Sequence, residues 1–154
     1  MARDAQQNIK PKHEKEFADW TEQIDSLISK RDAGIRATVD DIREKMYGDE
    51  LVASEPATRA QKRSYAEHLA KLESIATGNE SGKSPLVEAE VNPLRALVEK
   101  DRDKDAQELW KFLEKQIQRQ MDGLQFQDAR KIIATWPKDK FGVTRMQPLV
   151  EAKA

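Results

Sequence analysis

Cysteine is absent from this 154-residue chain, which removes disulfides, thiolate metal ligands and cysteine nucleophiles together. Histidine is nearly absent, with only His13 and His68. A protein zinc site needs at least three side-chain ligands. The run His13-Glu14-Lys15-Glu16-Phe17 begins like a metal-binding HExxH helix, but Phe17 stands where the second histidine belongs. Di-iron bundles place a glutamate three residues before each histidine; Lys10 and Tyr65 hold those positions here. No metal and no other cofactor is expected.

Long apolar runs are also missing. None approaches the ~18 residues that a membrane span needs, and the opening MARDAQQNIK has no apolar stretch of the kind a secretory leader carries. The expectation is a cytoplasmic protein with no membrane contact. An excess of one charge is missing too: 27 basic and 28 acidic side chains leave a net charge of −1. No global field therefore draws the chain to nucleic acid or to an anionic surface. Catalytic patterns are equally scarce. There is no GxSxG elbow, and the neighbouring carboxylates Asp40 and Asp41 point apart on a helix. The chain does not read as an enzyme.

One stretch comes close to a named chemistry. Gly78-Asn79-Glu80-Ser81-Gly82-Lys83-Ser84 resembles a phosphate-binding loop with a residue missing, since only three residues separate Gly78 from Gly82 where that loop has four. Such a loop must follow a buried strand, so that consecutive N–H groups wrap the phosphates. This one follows an amphipathic segment, and Pro85 withholds a donor. It reads as a linker between helices.

What the chain does have is helical periodicity. Charged residues make up 36% and hydrophobic residues 38%, against about 25% and about 45–50% in an ordinary globule. The apolar residues are nevertheless regularly spaced. Phe17, Trp20, Ile24, Leu27, Ile28, Ile35, Val39, Ile42 and Met46 fall within an arc of about 120° when each residue advances ~100°. Only Arg31 and Thr38 interrupt the stripe, and its phase survives Gly34, where a turn would have broken it. One helix over about 14–47 follows, roughly 50 Å long at 1.5 Å per residue. A compact domain of this size is roughly 40 Å across. The helix must overhang, or another chain must cover it.

Further helices are expected at about 56–77, 93–100, 104–122 and 125–136. Lys100-Asp101-Arg102-Asp103-Lys104-Asp105 carries no apolar side chain and the stripe resumes rotated by about one residue, so a kink, a turn or a change of packing partner is expected near 100–105. No alternating run of strand length precedes residue 141. The fold class is therefore all-α: an elongated helical bundle over residues 1–136, with an irregular C-terminal arm at 137–154.

Two sets of contact residues follow. Phe17, Trp20, Ile24, Leu27 and Ile28 form one, with Trp20 an anchor on the overhanging helix. Phe141, Val143 and Met146 form the other, on an arm that docks either on its own bundle or on a neighbour. The function expected is that of a non-enzymatic structural or adaptor protein, a helical subunit or assembly factor whose partners are proteins, in a homo-oligomer or a larger assembly. The alternative is a small nucleic-acid-binding regulator using Arg59, Lys62 and Arg63 on one helix and Lys111, Lys115 and Arg119 on another. That second row shares its face with Glu108 and Asp122, which favours a solvated surface.

Overall fold

A computed structural model of the chain describes residues 11–142. All-α is the class observed, with no strand among the described residues. Seven α-helices lie in that span. They are α1 (Pro11–Tyr47), α2 (Asp49–Val52), α3 (Pro56–Arg63), α4 (Tyr65–Thr77), α5 (Asn92–Asp122), α6 (Phe126–Ala134) and α7 (Lys138–Phe141). A 3-10 turn, Ser81–Lys83, and a π-helical turn, Val87–Val91, join α4 to α5.

Helix α1 runs unbroken for 37 residues, as its stripe requires. Gly34 lies inside it, with the Thr38 hydroxyl donating to its carbonyl at 3.1 Å. The two halves of the stripe have different fates. Ile35, Val39, Ile42 and Met46 are buried in the bundle, whereas every residue from Ala18 to Lys30 is exposed.

The expected helix over 56–77 is instead two. Ser64, at φ 45° and ψ 55°, takes the left-handed conformation between α3 and α4. In a regular helix, side chains two apart point about 200° from each other. The left-handed residue brings Arg63 and Tyr65 to the same carboxylate, that of Asp105. The two helices expected at 93–100 and 104–122 are one, with no turn at 100–105: α5 is continuous over 31 residues. The change of stripe phase is a change of packing partner. Arg95 of α5 reaches Glu73 of α4 and Asp105 reaches Arg59 and Arg63 of α3, whereas farther along Ile117 and Met121 line a cleft with Phe126, Ala129 and Ile133 of α6.

The α4–α5 linker is tightly packed. A Cβ on Gly82 would lie 2.8 Å from the Ala76 carbonyl oxygen, so only glycine fits. Ser84 accepts the Leu86 N–H at 3.2 Å and donates to the Asp32 carboxylate at 2.7 Å, tying the linker to α1. That hydrogen bond from Ser84 holds the Asp32 carboxyl below its ordinary range. After α5 the left-handed residue is Leu124, at φ 59°, and not Gly123.

The core ends in an aromatic cluster. Trp136 meets Trp110 edge-on at 6.5 Å and Phe141 at 5.2 Å, while Phe141 stacks on Tyr65 at 5.8 Å. Helix α7 thereby folds back on α3 and α4. Gly142 follows at φ 69°, a conformation that favours glycine.

Candidate interaction surface

The first half of α1 forms an arm. Trp20, Ile24 and Leu27 are 63%, 57% and 64% exposed, and Ile28 is 41% exposed. Phe17 is half-buried. These five were the first contact set read from the sequence, and the structure leaves them together on one face of the overhang. Where the arm reaches the bundle, Ile24, Leu27, Ile28, Arg31 and Glu80 line a cleft of about 510 Å³. Arg31 closes the arm at that point. It pairs with Asp32 at 3.1 Å and donates to the Glu80 carbonyl at 3.3 Å.

The second contact set is divided. Phe141 is fully buried in its own bundle, so it is not available to a partner; its ring gains more from the Tyr65 and Trp136 faces than a separate arm could offer. Val143 and Met146 lie outside the described residues.

The first basic cluster also requires correction. Arg59 and Arg63 are internal. Arg59 contacts Asp105 at 3.1 Å and pairs with Glu108, and it donates to the Ser54 carbonyl at 2.7 Å. Arg63 contacts Asp105 at 2.9 Å and donates to the Met46 carbonyl at 2.8 Å. Both are thus charge-neutralised by α5; Arg63 is buried, and Arg59 is half-buried beside a cleft. Lys62 remains exposed on α3, as do Lys111, Lys115 and Arg119 on α5.

This internal pairing extends into a network that the sequence reading missed. Tyr65 donates to the Asp105 carboxylate, and the Tyr47 hydroxyl donates to Asp101 at 2.6 Å. The Arg63 guanidinium lies 5.3 Å from the Tyr47 ring centre. Burial, and then the adjoining carboxylate, pushes each tyrosine above its ordinary pKa, so both stay protonated as donors. Burial works against the Arg63 charge, but the Tyr65 hydroxyl and Asp105 outweigh it, and its pKa is raised. A cleft of about 300 Å³ opens on the network between Tyr47, Val52 and Lys104. Every buried charge here has a partner within the chain, so the network's evident work is to lock α1, α3, α4 and α5 together.

The glycine-containing linker is likewise committed. The Gly82, Lys83 and Ser84 N–H groups donate to the carbonyls of Gly78, Glu80 and Ser81 at 2.9, 3.2 and 3.1 Å. Those are the donors a phosphate loop would direct at its ligand. Lys83 is exposed, 3.7 Å from Glu80. Among the described residues no group of three or more His, Cys, Asp or Glu side chains is placed to hold a metal ion, and no helix is long and apolar enough to cross a membrane.

His68 is buried at 4% exposure on α4, and its Nδ1 has no hydrogen-bond partner. Burial depresses its pKa; a hydrogen bond with the Arg63 backbone and then Glu67 oppose that shift, whereas Lys71 and Lys45 reinforce it. At a pH above the ordinary imidazole value of about 6.5, His68 is neutral whether the chain is folded or unfolded, and it contributes no pH dependence. Below that value the unfolded chain takes the proton first, so stability falls as pH falls toward the lowered folded-state pKa. Unfolding free energies measured between about pH 7 and about pH 5 are expected to fall less steeply in His68→Gln than in the wild type. An equal slope in the two proteins would exclude this role.

Against known proteins, no family model, no curated protein and no solved structure matches this chain.

Proposed function

We propose that the protein is a non-enzymatic adaptor or structural subunit whose α1 arm docks on another protein, forming part of a homo-oligomer or a larger assembly in the cytoplasm. One observation carries the reading. The apolar stripe that is buried from Ile35 to Met46 continues along the same helix as an exposed one through Leu27, Ile24 and Trp20. A collinear stripe of one amphipathic design, half of it covered, is the pattern of a helix that completes its burial against a second surface. Covering it removes apolar area from water, worth roughly 25 cal/mol per Å² before the cost of association. Docking of a coiled-coil type suits the arm's spacing. The nucleic-acid alternative has less to rest on, because Arg59 and Arg63 are spent inside the bundle.

The test is a triple variant, Trp20→Gln, Ile24→Gln and Leu27→Gln, which keeps helix-favouring side chains and removes the apolar face. At concentrations where the wild type does not associate, its melting temperature is expected to match the wild type's, because the three residues are exposed. Proteins that co-purify with the wild-type chain are expected to be lost. Retention of the same partners by the variant would refute the docking role.

A further inference from the structure

We infer that the α1 arm pairs with the α1 arm of a second copy of this chain, antiparallel, about a two-fold axis near residue 22. The inference rests on the docking-arm reading and gives it an occupant.

The spacing comes first. Phe17, Trp20, Ile24 and Leu27 are separated by three, four and three residues, the rhythm of a two-stranded coiled-coil seam. The next seam position is Arg31, which is already engaged with Asp32 and the Glu80 carbonyl. The free seam therefore ends where the bundle begins. In an antiparallel pair, Phe17 faces Leu27 of the second copy and Trp20 faces Ile24. The four apolar positions pair with one another in this register, and the flanking seam positions, His13 and Arg31, meet beyond them. A two-fold contact of this kind uses the same patch on both subunits, which is why one arm suffices for both sides.

Charge selects the direction. Glu16 and Lys30 flank the two ends of the seam on the same side of the helix. Antiparallel pairing sets Glu16 beside Lys30 of the second copy, twice per dimer. Parallel pairing gives neither residue an opposite charge across the seam. That pairing across the seam is what favours the antiparallel direction.

Shape agrees. The antiparallel register carries the second copy's Phe17 to Leu27, at the cleft of about 510 Å³ where arm meets bundle. Each arm seats its tip against the other's bundle. The arms together remove on the order of 1,000 Å² from water, at the lower edge of what a specific interface needs, and the tip contacts add to it. Dissociation constants in the micromolar range are expected, so the dimer should be concentration-dependent.

The full-length chain provides its own reporter, because it has no cysteine to interfere. Sedimentation equilibrium on the wild type should show a reversible dimer. Under mild oxidation Gln23→Cys, beside the axis, should form a disulfide-linked dimer, and Phe17→Cys, about 15 Å from its counterpart in this register, should not. Glu16→Lys and Lys30→Glu should each weaken the dimer about tenfold, and the double exchange should restore it. Trp20→Asp should be monomeric with unchanged helicity. Cross-linking through Phe17→Cys in place of Gln23→Cys, or a dimer indifferent to Trp20→Asp, overturns the antiparallel pair. So does a wild type that stays monomeric at about 100 μM, well above the expected dissociation constant. If such a monomer still loses co-purifying proteins in the triple glutamine variant, the docking arm stands and only its occupant is wrong. If it loses nothing, both readings fall.

Discussion

Replacing Asp105 with alanine is expected to lower the stability of the fold by about 3–5 kcal/mol, the range for removing one partner of a buried ion pair. Asp105 is 3% exposed and Arg63 is 6% exposed. The carboxylate receives Arg59 at 3.1 Å, Arg63 at 2.9 Å and the Tyr65 hydroxyl. Its loss leaves Arg63 charged inside the bundle with the Met46 carbonyl and the Tyr65 hydroxyl as its remaining acceptors. Arg59 suffers less, because Glu108 and the Ser54 carbonyl remain. Against a typical net stability of about 5–15 kcal/mol, such a loss is a large fraction of the whole. Urea unfolding monitored by circular dichroism measures it directly. The triple change Arg63→Met, Tyr65→Phe and Asp105→Leu should be far milder than Asp105→Ala alone, because neither an uncompensated charge nor an orphaned hydroxyl stays behind. A single-variant loss under about 1 kcal/mol would mean that water entering through the adjoining cleft already solvates these groups.

The same carboxylate explains where sequence reading succeeds and where it stops. Helix α1 is legible because its apolar residues keep one phase from Phe17 to Met46, and period is a direct imprint of which face is covered. The run from Lys100 to Asp105 misleads because a charged residue buried by pairing and one bathed in solvent are written with the same letters. One signal was available. Asp105 lies within about 20° of Val98 on a helical wheel, in the phase of the core stripe, and Arg59 and Arg63 stand four apart with their own stripe position at Ala60. An acid in a core position on one helix, and two bases four apart on another, predict each other. The turn at Ser64 has no such signature. A serine in the left-handed region costs about 1–2 kcal/mol, and the tertiary bonds of Arg63 and Tyr65 to Asp105 help to hold it there. The arm's exposure was legible as a mismatch of length. What covers the arm was not, because a seam shows that it needs a partner before it shows which one.

Phe141→Ala is expected to destabilise the chain by about 3–5 kcal/mol, as for other phenylalanines removed from a closed core. Phe141 is fully buried, stacked on Tyr65 and tilted against Trp136. The ring shields one face of the tyrosine whose hydroxyl reaches Asp105, so the cavity would open beside the charge network and weaken that too. Couplings of this kind make the two losses non-additive: Phe141→Ala combined with Asp105→Ala should cost less than the two single losses together. Near-ultraviolet circular dichroism from Trp110 and Trp136 should lose intensity, since their edge-on packing at 6.5 Å sits in the same cluster. Phe141→Leu, which keeps an apolar group and loses the stack, should fall between the wild type and alanine. A chain ending at Trp136 should lose at least as much stability as Phe141→Ala, because it lacks the whole of α7. Should that shortened chain melt with the full-length one, α7 would not belong to this bundle, and the C-terminal segment from Phe141 onward would again be free to serve as a contact with a neighbour.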